Sequence, residues 1–379
     1  QSDPDRYHTT PIKNLFWYAC NPIKWWGNAD EQAEVFKKMD FVVGCDIYLN
    51  DMSLFTDIML PEACYLERYD VLPQWWLNHR QPGLDVPWGI EFWQPVVPAK
   101  DDAPGYMDIF GEMCYRAGAE SNAAFIGTLN GMYRLKEEYA LPLDQKLDPE
   151  KLIDSIFKSY IDEEHGIDWF REHGVLTRER TPEEVYVFAA GQEGRIPLYF
   201  DFMFEAKEKV EAEVAKLGIP WETDDYVPLP EWKACIDHEV EEEGFDMFPV
   251  YWTNAINTDT WQVENAWINE INEMDDTTYL LEINEQTAAA KGIASGDKVR
   301  LSNREGATVE GIAVVTGLVH PECVASVGGH LNAKSEFQPI GKSKGTAVNH
   351  LVPAGVPERM DHLCSGVEQC VRCKLEKIG

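Results

Sequence analysis

The chain has 379 residues, 44% hydrophobic and 12% aromatic, enough apolar material to bury large cores in two or three domains rather than remain disordered. Its 66 acidic residues against 33 basic ones leave a formal net charge of −33, which repels phosphate backbones and anionic lipid and argues against a nucleic-acid role. No apolar run approaches the roughly 20 residues that span a bilayer; the strongest, Phe41-Val-Val-Gly-Cys45, stops at Asp46, so no direct membrane span is expected. Nine cysteines are too sparse for a disulfide framework, and an odd number leaves one thiol over, which fits a reducing or anoxic setting. The opening Gln1-Ser2-Asp3-Pro4 has neither an initiator Met nor the basic and apolar regions of a signal peptide, the pattern of a processed chain or a piece of a longer one.

In chain order, Leu15-Phe-Trp-Tyr-Ala19 reads as a strand stopped by Cys20-Asn21-Pro22, and Ala33, Val35, Phe36 and Met39 mark a helix over 29–39. Phe41 to Cys45 reads as a second buried strand, and 54–61 repeats the helix-to-strand rhythm on a smaller scale. This alternation predicts a parallel α/β layer. In such sheets ligands sit beyond the carboxyl ends of the strands, which puts Asn21, Pro22, Cys45 and Asp46 on the ligand side; ordinary turn residues would look the same. Residues 71–105, rich in Pro and Trp without a period, read as a long structured loop. Helices are expected at 106–117 and 149–160, and at 203–217 a surface helix with the stripe Phe204, Lys207, Val210, Val214 and Leu217. Glu239 to Asp246 reads as a solvated acidic linker. Beyond it, short β-type segments at 248–253, 278–283, 298–303, 307–316 and 322–327, punctuated by Gly292, Gly296, Gly306 and Gly317, suggest a small barrel.

His362, Cys364, Cys370 and Cys373 offer four metal donors within a dozen residues, but their spacing is not that of two separated CxxC pairs, and a lone CxxC near a terminus is more often structural. No G-x-S-x-G, H-E-x-x-H or G-x-x-x-x-G-K-[ST] occurs, which removes the hydrolases, zincins and phosphate-loop enzymes that carry those signatures. Carboxylates beside Trp25, Trp26, Trp75 and Trp76 leave a glycosidase open. His330 follows Val327-Gly-Gly, where glycines allow close approach of a ligand or simply make a turn.

Taken together, Lys13-Asn-Leu-Phe-Trp-Tyr-Ala-Cys-Asn-Pro22, Phe41-Val-Val-Gly-Cys-Asp-Ile47, Thr56-Asp-Ile-Met-Leu-Pro61 and Tyr65-Leu-Glu-Arg68 resemble the molybdopterin oxidoreductases of the dimethyl-sulfoxide-reductase family in order and spacing. Gln94 to Pro98, Tyr106 to Phe110 and Gly166 to Trp169 are similar to later blocks of that family. Leu281 to Asn284, Ala289 to Arg300, Gly317 to Pro321, Asn349-His-Leu351 and Ser365-Gly366 resemble its dinucleotide-binding barrel. The stretch through Leu60-Pro-Glu-Ala-Cys-Tyr-Leu-Glu-Arg68 leans toward the thiosulfate and polysulfide reductase branch.

The resemblance implies a fold of class α/β plus β: a Rossmann-like parallel α/β layer (1–125), a mixed connecting segment (126–245) and a double-psi β-barrel dinucleotide-binding domain (246–379). It implies two molybdopterin guanine dinucleotides around molybdenum or tungsten, with two-electron redox or oxygen or hydroxyl transfer on a sulfur oxyanion, polysulfide or small organic or aromatic hydroxyl compound. The metal and dithiolenes supply the chemistry, and the protein positions them.

Carried over residue by residue, the resemblance makes Asn21 with Pro22, Cys45, Asp46, Glu62, Thr253, Asn254, His330 and Asn349 cofactor-binding; an Asp at 46 would suit paired N–H donors of a guanine edge. Asp51 departs from the pattern, since Asn50-Asp-Met52 replaces an E-T-A-type triplet. The cysteine-rich iron-sulfur segment and the protein ligand of the metal belong to the family's earlier half and have no match here, so no catalytic residue is named. The expected partners are an N-terminal half or partner chain carrying the iron-sulfur cluster and an iron-sulfur electron-transfer subunit, in an anaerobic prokaryote, cytoplasmic or exported and peripheral to the membrane. Rivals from other classes are a non-catalytic nucleotide-binding module and a carbohydrate-active hydrolase with paired carboxylates.

Overall fold

A computed structural model describes residues 5, 10–73, 88–181, 198–363 and 366–379, with the backbone alone at 71–73. Trp75, Trp76, Cys364, Ser365 and most of the Trp-rich loop lie outside the described residues. Residues 1–60 and 197–379 form one compact unit and 61–196 a second.

The first unit begins with β1 (Asn14–Tyr18), α1 (Pro22–Trp25), α2 (Ala29–Phe36) and β2 (Phe41–Asp46), and β2 returns parallel to β1; β3 (Ile58–Pro61) completes the sheet in the order β1-β2-β3. The aromatic run of β1 puts Trp17 into the core with Ile23, Phe36, Val42 and Met52. Trp17 lies opposite Gly44 in the register, and a Cβ at Gly44 would overlap the indole and the Met59 sulfur. Glycine is therefore required there by close approach. The helix expected over 29–39 ends at Phe36, its start fixed by Asn28, whose side chain accepts from Asp30 and Glu31 N–H at 3.0 and 3.3 Å.

The second unit holds β4 (Asp70–Pro73), β5 (Trp88–Trp93), α3 (Tyr106–Arg116), α4 (Ala119–Met132), α5 (Pro149–Tyr160), α6 (Ile167–His173) and β6 (Val175–Arg178). β4-β5-β6 form an antiparallel sheet, so the loop expected over 71–105 is corrected: strands occupy both its described ends. The alternation Ile90/Phe92 on one face of β5 packs on Ile153, Ile156 and Phe157 of α5 and Phe170 of α6, the period-2 and period-3.6 patterns meeting in one core. Helix α5 has the bounds its sequence predicts because Asp148 caps it, accepting from Glu150 and Lys151 N–H at 3.1 and 3.3 Å, with Pro149 in its first turn.

Returning to the first unit, α7 (Phe202–Leu217) buries none of its side chains, and Phe202, Phe204 and Leu217 are exposed. The expected acidic linker is not purely solvated: Glu242 pairs with Arg304 at 3.2 Å and Asp246 with Lys291 at 2.8 Å. Then come β7 (Phe248–Trp252), α8 (Ala266–Glu273), β8 (Leu281–Asn284), α9 (Glu285–Lys291), β9 (Lys298–Asn303), β10 (Thr308–Thr316), β11 (Cys323–Val327) and β12 (Cys373–Lys377). The strand expected from 278 starts at 281, because Asp275 accepts from the Thr277 N–H at 3.1 Å and from the Thr278 hydroxyl, which holds 275–278 in a turn.

The sheet order is β12-β9-β10-β8-β11-β7, with parallel pairs β10/β8 and β11/β7. Met247, just before β7, and Cys373 of β12 exchange both backbone hydrogen bonds at 3.0 and 2.8 Å, so the two edges meet and the sheet closes on itself. Leu281, Ile283, Val299, Leu301, Val324 and Leu375 fill its interior. The compact units divide the chain at places other than 125/126, which falls inside α4, and 245/246.

Candidate functional site

Strands β7 and β11 run parallel with Trp252 opposite Val327, so their carboxyl ends emerge side by side; the Gly328 N–H donates to the Trp252 carbonyl at 2.8 Å. Thr253 therefore lies beside Gly328-Gly-His330 by register. Gly328 has φ +39, and a Cβ at Gly329 would collide with the Asn349 amide, so backbone here approaches what lies above it more closely than any other residue allows. Asn349, in a 3-10 turn at Val348–Leu351, donates its N–H to the Gly329 carbonyl at 3.3 Å and its Nδ2 to the Lys24 carbonyl at 3.1 Å. That second bond ties the barrel loops to α1. Asn28 N–H to the Val352 carbonyl at 2.8 Å, and the Glu31 carboxylate accepting from Ala354 and Gly355 N–H at 2.9 Å each, continue the seam.

Between these loops lies a cavity of about 300 Å³, lined by Asn21, Thr253, His330 and Asn349 together with Trp25 and Asp259 among others. Asn21 is 3% exposed. Its Nδ2 faces the Asp51 carboxylate at 3.4 Å, which orients the amide, and its Oδ1 has no hydrogen-bond partner. His330 is hydrogen-bonded to the Asp259 backbone, while its Nε2, also buried, has no partner. Burial pushes the His330 pKa below the usual imidazole value; Asp259 opposes this and Lys24 reinforces it. A neutral ring that donates to the Asp259 carbonyl leaves Nε2 as a lone-pair acceptor. Two residues that line one cavity thus each carry a buried polar atom without a partner.

Four of the nine residues expected in the site line this cavity: Asn21, Thr253, His330 and Asn349. The others sit elsewhere. Pro22 occupies the first turn of α1. Cys45 is fully buried in β2. Asp46 serves its own turn, accepting from Ile47 N–H at 2.7 Å and from Asn50 Nδ2 at 3.2 Å. Asn254 bonds the Thr278 hydroxyl at 3.2 Å. Glu62 belongs to the second unit and pairs there with Arg68.

Asp51, the departure noted in the sequence, has a physical account. Its Oδ1 accepts the N–H groups of Lys334 and Ser335 at 2.7 and 3.0 Å, so the carboxylate holds a distant backbone turn. Sequence reasoning missed Asp259 as a wall residue and named Trp25 only for the glycosidase alternative. Only the cluster Thr258-Asp-Thr260 after a strand end could have pointed to Asp259. Asp259 is the one carboxylate on this cavity among the described residues, so a paired-carboxylate hydrolase site is not assembled here. Among the described residues the possible metal donors near the C-terminus do not gather either: His362 accepts from Glu222 N–H at 2.8 Å and stacks on Trp221, while Cys373 is in the barrel core.

Residues 254–360, which include most of the barrel, match the molydopterin dinucleotide binding domain. The thiosulfate reductase molybdopterin-containing subunit of Salmonella typhimurium is 23% identical over 345 residues, 90% of this chain and 41% of that protein. The matched domain and this relative make the chain similar to the molybdopterin oxidoreductases of the dimethyl-sulfoxide-reductase family. Another similar protein is trimethylamine-N-oxide reductase 1 of Escherichia coli O157:H7, 25% identical over 80% of the chain and 33% of that protein. Acetylene hydratase from Pelobacter acetylenicus shares the fold, with a TM-score of 0.65 at 15% identity, covering the whole chain and 46% of that structure. The chain thus spans less than half the length of these similar proteins. The residues fit the group the family binds, since pterin and guanine rings carry N–H donors on their edges and the cavity offers buried acceptors with glycine backbone beside them.

Proposed function

We propose that this chain builds part of a molybdenum or tungsten bis-molybdopterin guanine dinucleotide site, and that the protein is an oxidoreductase carrying out two-electron redox or oxygen or hydroxyl transfer on a small substrate. Asn21 and His330 carry the reading: both line one cavity, and each has a buried polar atom, Oδ1 and Nε2, with no partner. Asn21 and His330 would accept from ring N–H groups of the cofactor, Thr253 would offer a hydroxyl, and Asn349 would hold the loop beside it. When bound, the metal and its dithiolenes supply the two-electron chemistry. The closed six-stranded barrel with two parallel pairs supports a double-psi arrangement for 246–379, and the β1–α–β2 unit supports a Rossmann-like layer in the first part of the chain. A sulfur oxyanion or polysulfide substrate has the support of the thiosulfate reductase likeness. A second, iron-sulfur-bearing half and an electron-transfer subunit complete the enzyme in this reading.

The test is elemental and fluorimetric. The protein as isolated should contain molybdenum or tungsten and release an oxidised pterin fluorophore, and Asn21→Leu and His330→Leu should lower both together by at least about tenfold, the scale of one lost buried hydrogen bond to a ligand. Protein free of metal and pterin, or variants that retain both in full, would overturn the reading.

A further inference from the structure

A second pair of reactive groups lies outside this site, at the seam where the barrel closes. That seam has one bridge, Met247 to Cys373. Just ahead of Met247 is the segment 235–238, and just ahead of Cys373 is 368–372. The two are stitched together: Ile236 N–H donates to the Glu368 carboxylate at 2.9 Å, Arg372 N–H to the fully buried Asp237 carboxylate at 3.0 Å, and the Arg372 guanidinium to the carbonyls of Asp237 and His238 at 3.1 and 2.9 Å. Arg359 adds a bond to Asp237 at 2.9 Å and one to the Cys370 carbonyl at 2.9 Å.

This stitching brings the segments of Cys235 and Cys370 together, and the two thiols are close enough to influence each other. Both are partly exposed free thiols, whereas Cys373 is buried in the barrel core. We propose that Cys235 and Cys370 are a redox-active dithiol that closes into a disulfide latch over the barrel seam, with a low-molecular-weight disulfide as oxidant.

The exchange balances in two steps. The Cys235 sulfur, having lost its proton to solvent, attacks one sulfur of the oxidant; a protein–small-molecule disulfide forms and one thiolate leaves. The Cys370 sulfur, giving up its proton, then attacks the Cys235 sulfur; the Cys235–Cys370 bond forms and the second thiolate leaves. Two protein thiols are oxidised, one external disulfide is reduced, and the two released thiolates take up the two protons. Burial pushes the Cys370 thiol up to about 12, with neighbouring Cys235 adding to the effect, and the same balance holds with the order of the two attacks reversed. The latch encloses strands β7 to β11 in a covalent ring and restrains the two ends whose backbones form the closing bridge.

The experiment uses the protein as isolated, reduced and then equilibrated with oxidised and reduced glutathione. Peptide mapping without reduction should recover a cross-link between the peptides bearing Cys235 and Cys370. Hydrogen exchange of the Met247 and Cys373 amides should slow by about tenfold or more on oxidation, since seam opening then works against the ring. Cys373→Ser should leave the cross-link intact and Cys235→Ser should remove it. Glutathione retained on either thiol without a cross-link, a cross-link through Cys364 or Cys373, or unchanged exchange at the seam would overturn the proposal. The wild-type map decides the pairing even if a variant does not fold.

Discussion

His330 and His350 are both half to mostly enclosed, and burial holds each below the ordinary imidazole pKa, in His350 against the pull of Asp30. A folded pKa below the unfolded value of roughly 6.5 means that the unfolded chain binds more protons as pH falls. Stability contributed by the neutral rings is complete above that pH and declines as pH drops through it toward the folded values. Thermal unfolding followed between pH 7.5 and about 5 should show a falling midpoint, and His330→Gln with His350→Gln should flatten that part of the profile. A slope unchanged in the double variant would assign it to carboxylates instead. At the same scale, Asp51→Ala strips the acceptor from two backbone N–H groups, of which that of Ser335 is buried, and should cost about 1–3 kcal/mol in denaturant titration. The sequence marked Asp51 only as a mismatch. Its role depends on residues 334 and 335, nearly three hundred positions away, and no local pattern encodes such a pairing.

Elements divide by how locally they are specified. Helix α5 was legible to the residue because Asp148 and Pro149 start it and an apolar stripe buries Leu152, Ile153, Ile156 and Phe157. Helix α4 was not, because Ala, Gly and Asn through 119–132, with Gly127 and Gly131, blur the contrast between its faces. β12 alternates buried Cys373 and Leu375 with Lys374 and Glu376, but five residues with three charges do not announce a strand until β9 supplies its partner. The β1/β2 pair supplies the sharpest prediction here. Gly44→Ala must displace the Trp17 indole or the Met59 side chain and should cost about 1–3 kcal/mol as an overpacked core, read as a lower denaturant midpoint with little change in slope. Asn28→Ala should cost about 1 kcal/mol through the lost cap of α2.

For the first unit, the closed barrel concentrates apolar burial in one interior. Leu301→Ala, at a fully buried position of β9, should therefore destabilise by about 2–5 kcal/mol, whereas Trp267→Ala, at a position 82% exposed, should change stability by less than about 0.5 kcal/mol. The net charge of −33 adds a self-repulsion that salt screens over a Debye length of about 10 Å at 0.1 M.

What the sequence by itself determined is what local patterns can carry: the strand–helix–strand opening, most barrel strands and the likeness to molybdopterin oxidoreductases. The tertiary structure alone decided that Met247 meets Cys373 to close the barrel, that Asp51 serves a backbone turn, that Asp46 accepts within its own turn, and that Asn21 and His330 line one cavity. Periodicity and turn chemistry act over a few residues, whereas closure and hydrogen-bond satisfaction depend on groups brought together from opposite ends of the chain.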